Sequence, residues 1–531
     1  MLVKFIISIL MILVYVYFKT KKSFHMLQQN WYNEGNRYLK WISKNKKLVF
    51  VNLDLIFIIF ILTKFIEPKL GMILVVIVYM GLSLIHLKNQ KITQTKKPLA
   101  ITKRVKRLFL TTFLVYLIPI VVMCLNYNDN LAPYFYLIIG FMVYMNYIIA
   151  FIANIINKPI EKTINNGFKK KAIKKLNSMN NMKVIGITGS YGKTSSKNIL
   201  NDILNVKYNA FPTPKNFNTP LGLIITINNY LDKFNDLFIA EMGAFKKGEI
   251  KELCDLVHPT YGILTTIGTA HLESFGSREN IQEGKFELIE SLPSDGIGVL
   301  NADDPYQVSY KLKNDVKIVW IGIDNDADVK ASNIKLSSEG TTFDCTFKGD
   351  KKKYKFETKL LGKANVYNIL AGIALGYNLG IEISKLQLGV KKVNTIEHRL
   401  ELKKMGNINI IDDAYNSNPV GSKMALDVLN LMPGKKIIVT PGMIEMGAEE
   451  AEINKTFGEQ IAEVCDEVIL VGKKQTEPIY QGLINKKYNK NKIHILDDVK
   501  LAFPLMNRLA EKETYVLLEN DLPDIFNEDM K

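Results

Sequence analysis

Residues 186–196 read GITGSYGKTSS. Gly189 and Gly192 permit a tight turn whose backbone N–H groups can close around an anion. Lys193 can then reach the terminal phosphates of a nucleoside triphosphate, and the Thr194 hydroxyl can hold a magnesium ion. Ser190 and Ser195 complete the polar lining. The spacing departs from the common phosphate loop, which has glycine five positions before the second loop glycine; here that position is Ile187. Further along, Glu241 closes the apolar run LFIAEMG and His271 follows GILTTIGTA. Carboxylate oxygen and imidazole are both metal-binding groups, and oxygen is the ligand type that magnesium prefers. Placed at strand ends behind a phosphate loop, both would face the crevice where parallel sheets bind ligands. Lys285, in IQEGKFELIE, reads as an ordinary solvated helix lysine, and Arg399 and Asp413 read equally well as structural ion-pair partners.

The elements that must position these residues follow from pattern. Val184–Ile187 are apolar and mostly β-branched, the glycine turn comes next, and a helix starts by Ser195, whose N-terminus favours an anion. From 183 to 393 strands alternate with helical stretches, the pattern of an α/β unit with a parallel sheet. Residues 316–360 interrupt it with short alternating strands, including GTTFDCTFKG, predicting a small β insertion. A second α/β unit occupies 394–531. It is Rossmann-like but lacks Gly-x-Gly-x-x-Gly, so a dinucleotide is not indicated.

The loop form T-G-x-x-G-K-T resembles that of the Mur ligase family, ATP-dependent amide ligases of cell-wall peptide synthesis. The resemblance continues in family order through TPKNFNTPLG, EMGAFKKGEI, TAHLESFGSRENIQEGKFEL, VLNADDP, GKANVYNILAGIALGYNLGI, HRLE and DDAYNSNP, and is closest to the branch that adds D-alanyl-D-alanine. It implies a P-loop ATPase central domain and a Rossmann-like C-terminal domain, both α/β, with ATP and Mg2+ as cofactors. It implies that Glu241 and His271 bind magnesium and that Lys285 is the active-site lysine whose carbamate is an anionic metal ligand. Asn365 and Asn368 match an Asn-rich segment beside the nucleotide, whose His is Ala364 here. Arg399 and Asp413 match positions that hold ATP from the last domain. The acceptor is expected to be a UDP-linked or lipid-linked muramyl peptide, and the amine donor D-Ala-D-Ala or a related amino acid. Two departures fall on the donor side: PGMIEMG (441–447) where the branch has GDMxELG, and LLENDLPD (517–524) where it has KGS. A ligase with another polymer as acceptor and an ATPase-driven transporter remain alternatives.

In place of the family's UDP-sugar domain, residues 1–158 carry five apolar runs: 2–18, 48–66, 70–87, 108–125 and 131–156. Each approaches the ~20 residues needed to cross a bilayer as a helix, predicting an all-α transmembrane region of about five helices. Asp54 is expected near an interface. Residues 19–47, 88–107 and 158–183 hold eight Lys+Arg each, whereas 67–69 and 126–130 hold one between them. Basic loops stay inside, so the chain is expected in the cell membrane with its catalytic domains in the cytoplasm. Residues 1–183 contain 27 Lys+Arg against 5 Asp+Glu, and the remainder 42 against 47. The basicity therefore belongs to the membrane third and the basic linker at 159–182, which argues against a nucleic-acid surface. Four isolated cysteines, Cys124, Cys254, Cys345 and Cys465, make no metal knuckle or redox pair.

Overall fold

A computed structural model describes residues 2–92, 98–337, 339–414, 417–444, 446 and 449–521. Parts of three quoted motifs (415–416, 445, 447 and 522–524) lie outside the described residues. The chain divides into two compact units, 1–167 and 168–531.

In the first unit, among the described residues, three helices are long and apolar enough to cross a membrane: Leu2–Gln29, Pro68–Lys88 and Lys103–Leu125. The run at 131–156 instead forms a pair, Ala132–Tyr144 and Asn146–Asn177, bent by 74°. The run at 48–66 differs most from expectation, because Asn52–Phe65 is a 3-10 helix of 14 residues. Its sequence, NLDLIFIIFILTKF, is rich in β-branched and aromatic side chains, which lose χ1 freedom in an α-helix. Its buried residues are Asp54, Phe57, Phe60 and Thr63, a spacing of three that matches three residues per turn. Asp54 therefore lies on the buried face of this helix. It forms an ion pair with Lys19 and accepts from Tyr15 Oη at 2.7 Å. Lys19 also donates to the Val143 carbonyl at 2.9 Å. At the bend, buried Asn146 accepts from Thr20 (3.1 Å) and Tyr116 (3.0 Å) and donates to Ser23 (2.9 Å). Lys19, Asp54 and Asn146 thus each have partners, as an apolar surround requires. The helix Asn146–Asn177 also runs through most of the segment expected to be a linker.

In the second unit, among the described residues, nine strands form one sheet in the order β2-β3-β1-β4-β5-β6-β7-β8-β9. They are β1 (Lys183–Thr188), β2 (Ala210–Pro212), β3 (Leu237–Glu241), β4 (Tyr261–Leu264), β5 (Ile297–Asn301), β6 (Lys317–Gly322), β7 (Val329–Ser337), β8 (Gly340–Phe347) and β9 (Tyr354–Thr358). β1 lies between β3 and β4, parallel to both. It is buried on both faces, as KVIGIT suggests for a central parallel strand. Ile185 and Ile187 pack with Ile199, Leu200 and Ile369; Val184 packs on the opposite side with Leu288 and Ile289. β6 and β7 continue the parallel sheet, and β7, β8 and β9 extend it as an antiparallel ladder.

A six-stranded sheet follows in the order β10-β11-β15-β12-β13-β14. Its strands are β10 (Glu401–Met405), β11 (Ile408–Asp413), β12 (Lys435–Thr440), β13 (Glu467–Val471), β14 (Ile493–Leu496) and β15 (Thr514–Glu519). All neighbours are parallel except β10 and β11. The C-terminal end of β11 carries Asp413, in register with Glu519 on β15.

Candidate active site

The phosphate loop sits at the C-terminal end of β1. Gly189 has φ +148°, and a Cβ there would lie 2.0 Å from Thr265 Oγ1, so only glycine fits against β4's exit. Thr265 Oγ1 in turn donates to the Tyr191 carbonyl at 2.5 Å and holds the loop's outer arm. The helix Lys193–Leu204 begins directly after Gly192, so its first N–H groups face the loop. Lys193 Nζ donates to the carbonyls of Gly189 (2.7 Å) and Ser190 (3.2 Å), which keeps its charge over the turn. Burial pushes this ammonium below the usual lysine range; Glu241 opposes the shift and Arg399 adds to it.

Glu241 ends β3, the neighbour of β1, and is 1% exposed. Its Oε1 accepts from Thr194 Oγ1 and Asn218 Nδ2, each at 3.1 Å. Lys197 Nζ lies 3.0 Å from Oε2, but without hydrogen-bond alignment, so Oε2 is a buried oxygen that accepts no hydrogen bond. The chain just after β3 gathers the other two groups. Lys285, on the helix Arg278–Glu290, donates to the Ala244 carbonyl at 3.5 Å. The His271 ring lies 4.4 Å from that of Phe245, and His271 itself holds a left-handed backbone (φ +62°) ahead of the short helix Leu272–Phe275.

The expectation that Lys285 is a solvated helix lysine is corrected here. It is 1% exposed, and its Nζ stands 5.4 Å over the Phe275 ring. Burial pushes its pKa well below the usual lysine value. The neighbouring Lys193 charge lowers it further, while Glu249 and Glu287 oppose.

A cavity of about 380 Å3 opens beside the loop, within the size range of small-molecule sites. Gly192 and Ser195 line it from the loop, Asn365 and Asn368 from the helix Lys363–Asn378, and Arg399 and Asp413 from the last domain. Residues far apart in sequence thus share one wall. Burial raises Asp413 to about 6, against the opposing effects of Arg399 and the Leu400 N–H. Lys197 and Asn218 were not singled out in the sequence. The signal for Lys197 was its place four residues after Lys193 on one helix, hence on the same face; that for Asn218 was the Asn-rich string TPKNFNTPLG.

A parallel α/β sheet with this loop and a second domain closing over the cavity defines a nucleotide-dependent enzyme. The model of the Mur ligase middle domain matches residues 187–376, and that of the Mur ligase glutamate ligase domain matches 398–519. The chain is 33% identical over 342 residues, 64% of its length and 72% of the relative's, to UDP-N-acetylmuramoyl-tripeptide--D-alanyl-D-alanine ligase of Bacillus subtilis. The Escherichia coli enzyme of the same name is 31% identical over 340 residues, covering 63% of this chain and 73% of the relative. Among solved structures, MurF ligase from Thermotoga maritima in complex with ADP superposes with a TM-score of 0.60 at 28% identity, over 67% of this chain and 80% of that one. The chain belongs to the Mur ligase family. It is an ATP-dependent, ADP-forming ligase of an acid and an amine, with Mg2+ as its metal.

The donor set fits that metal. Among the described residues no three His, Cys, Asp or Glu converge on one point. Magnesium bound through one or two protein oxygens and the substrate's phosphates needs no such cluster. Glu241 Oε2, buried and without a hydrogen bond, and the adjoining Thr194 hydroxyl are the groups that would hold it.

Proposed function

We propose that this chain is a membrane-anchored ligase that joins D-alanyl-D-alanine, or a closely related amine, to a muramyl tripeptide. The observation that carries this reading is the single cavity that unites the phosphate loop, the Asn365–Asn368 helix face and the Arg399–Asp413 wall. The substrate class is supported by the names of the matched relatives.

In the reaction the acceptor carboxylate attacks the γ-phosphorus of ATP, ADP leaves, and an acyl phosphate forms. The amine then attacks the acyl carbon and phosphate departs. Such transfers depend on positioning and charge neutralisation more than on covalent help from the protein. Lys193 and the N-terminus of its helix stabilise the charge on the transferring group. Bound Mg2+ would neutralise phosphate oxygens beside Glu241, Thr194 and His271. A carbamate on Lys285 would supply one more anion there. Asn365, Asn368, Arg399 and Asp413 orient the nucleotide.

Glu241→Gln is expected to raise the magnesium concentration for half-maximal turnover by about 10- to 100-fold. A magnesium titration checks it, and an unchanged midpoint would remove Glu241 from the metal site.

The apolar helices of the first unit support a multi-pass placement in the cell membrane, with the catalytic domains on the cytoplasmic side where the basic segments lie. We infer further that the acceptor is taken at the bilayer, because 1–167 lies outside both family matches and supplies apolar helices. The test uses the full chain in lipid nanodiscs with ATP, D-Ala-D-Ala and either UDP-linked or lipid-linked muramyl tripeptide, with products read by mass spectrometry. A kcat/KM higher with the lipid-linked acceptor supports capture at the bilayer. Equal or better use of the UDP-linked acceptor leaves the helices as an anchor only. If phosphate release does not depend on the amine, the ligase reading itself fails.

A further inference from the structure

Glu241 already faces a cation of the protein's own. Lys197 sits one turn after Lys193, on the same face of the helix Lys193–Leu204. Its side chain is 1% exposed and that of Glu241 2%. Lys197 Nζ stands 3.0 Å from Glu241 Oε2 and donates to the Lys215 carbonyl at 2.5 Å. Lys215 belongs to TPKNFNTPLG and holds a left-handed backbone, φ +48°. The same string supplies Asn218, which donates to Glu241 Oε1, and Thr213, whose Oγ1 accepts from the Glu241 N–H at 3.2 Å. The string is itself stitched to the end of β3, because the Gly243 N–H donates to the Asn218 carbonyl at 2.8 Å. Both partners of the ion pair are therefore held in place, and buried charges are little screened by water.

The pairing has an electrostatic reason. A buried carboxylate left without a counter-charge is strongly destabilising. Thr194 and Asn218 give Oε1 hydrogen bonds but no charge. Lys193 also acts on Glu241, but its ammonium is committed to the Gly189 and Ser190 carbonyls. Lys197 thus balances the carboxylate at Oε2, an oxygen that magnesium would use.

We propose that Lys197 is a positioning residue that ties metal entry to the nucleotide. The inference rests on the placing of Glu241 in the metal site. A divalent cation arriving alone meets a single carboxylate that a fixed ammonium has already neutralised. Like charges at short range in a buried site repel strongly. The phosphates of ATP bring further negative charge and oxygen ligands, the usual supplement to one or two carboxylates around magnesium. The balance then becomes attractive, so the metal is loaded with the nucleotide and not before it.

The test measures Mn2+ binding to the full chain in detergent, without nucleotide, by electron paramagnetic resonance. Mn2+ is the probe because it suits the same oxygen ligands as magnesium. The wild type is expected to bind it weakly. Lys197→Met, which keeps an apolar stem, and Lys197→Gln, which keeps a donor for the Lys215 carbonyl, both remove the charge. Each is expected to bind Mn2+ at least about tenfold more tightly than the wild type. Combining Lys197→Met with Glu241→Gln should abolish that gain, which locates it at Glu241. A residue that only braced Glu241 would instead loosen binding in both single variants, and that result, or no change, overturns the proposal. Tight nucleotide-free binding by the wild type overturns it as well, even if neither variant folds. If the Lys197 variants gain nothing while Glu241→Gln still shifts the magnesium midpoint of turnover, this inference fails and the metal reading stands. If Glu241→Gln leaves that midpoint unchanged, both fail.

Discussion

Lys193→Ala is expected to lower ligation by at least about 10²- to 10³-fold, the range seen when one preorganised donor to developing charge is removed. Two observations lead to this expectation. Its ammonium is fixed over the turn by the Gly189 and Ser190 carbonyls, so little ordering remains to be done when phosphates arrive. It also lies near Glu241, the carboxylate that would meet the metal. The fold should survive, since the change removes two bonds to loop carbonyls, each a net of about 0.5–1.5 kcal/mol. Single-turnover phosphate release and a thermal melt, measured together, check both halves. The lowered pKa adds a pH signature. Lys193 loses its charge at lower pH than a solvated lysine would, so turnover should fall on the alkaline side. Near-normal turnover in Lys193→Ala would remove the loop from the chemistry.

The loop was legible because phosphate binding there uses backbone and a helix start, which depend on local sequence. Gly189, Gly192, Lys193 and Thr194 lie within six residues, and their arrangement follows from strand, turn and helix in succession. The Asn365–Asn368 pair was legible only through the family resemblance; in the structure both sit on one helix and line the cavity. What failed to show was pairing across distance. Lys197 and Glu241 are 44 positions apart, and nothing in either local pattern announces a buried ion pair. Lys19 and Asp54 are hidden in the same way, each a single charge in an apolar run until the fold brings them together. Asn52–Phe65 is a 3-10 helix where hydropathy predicts an α-helical span, because hydropathy counts apolar residues and not their period. Its spacing of three at Asp54, Phe57, Phe60 and Thr63 was present in the sequence all along.

Lys285 shows how burial changes a residue's chemistry, and its substitution is the second large effect expected. An amine must be neutral to capture carbon dioxide, and a solvated lysine is almost wholly protonated at pH 7. Lys285 differs because its side chain is enclosed by Phe275 and the Ala244 backbone, and the Lys193 charge beside it disfavours a second cation. The same neighbour that repels the ammonium would attract a carbamate, so the modification turns a repulsive pair into an attractive one. Lys285→Ala is therefore expected to lose about 10²-fold or more of the ligation rate, comparable with the loss of another charge-stabilising group. Bicarbonate should not restore it, because the variant has no amine to modify, whereas a small carboxylic acid filling the vacated volume should restore part. In the wild type, removing dissolved carbon dioxide should lower activity and added bicarbonate should bring it back. The loss should deepen as pH falls toward the folded-state pKa of Lys285, since protonation competes with carbamate formation. Lys285→Arg provides the sharpest check. A guanidinium keeps the positive charge and forms no carbamate, so full activity in that variant would mean that the site works with a cation there, and the carbamate would be excluded.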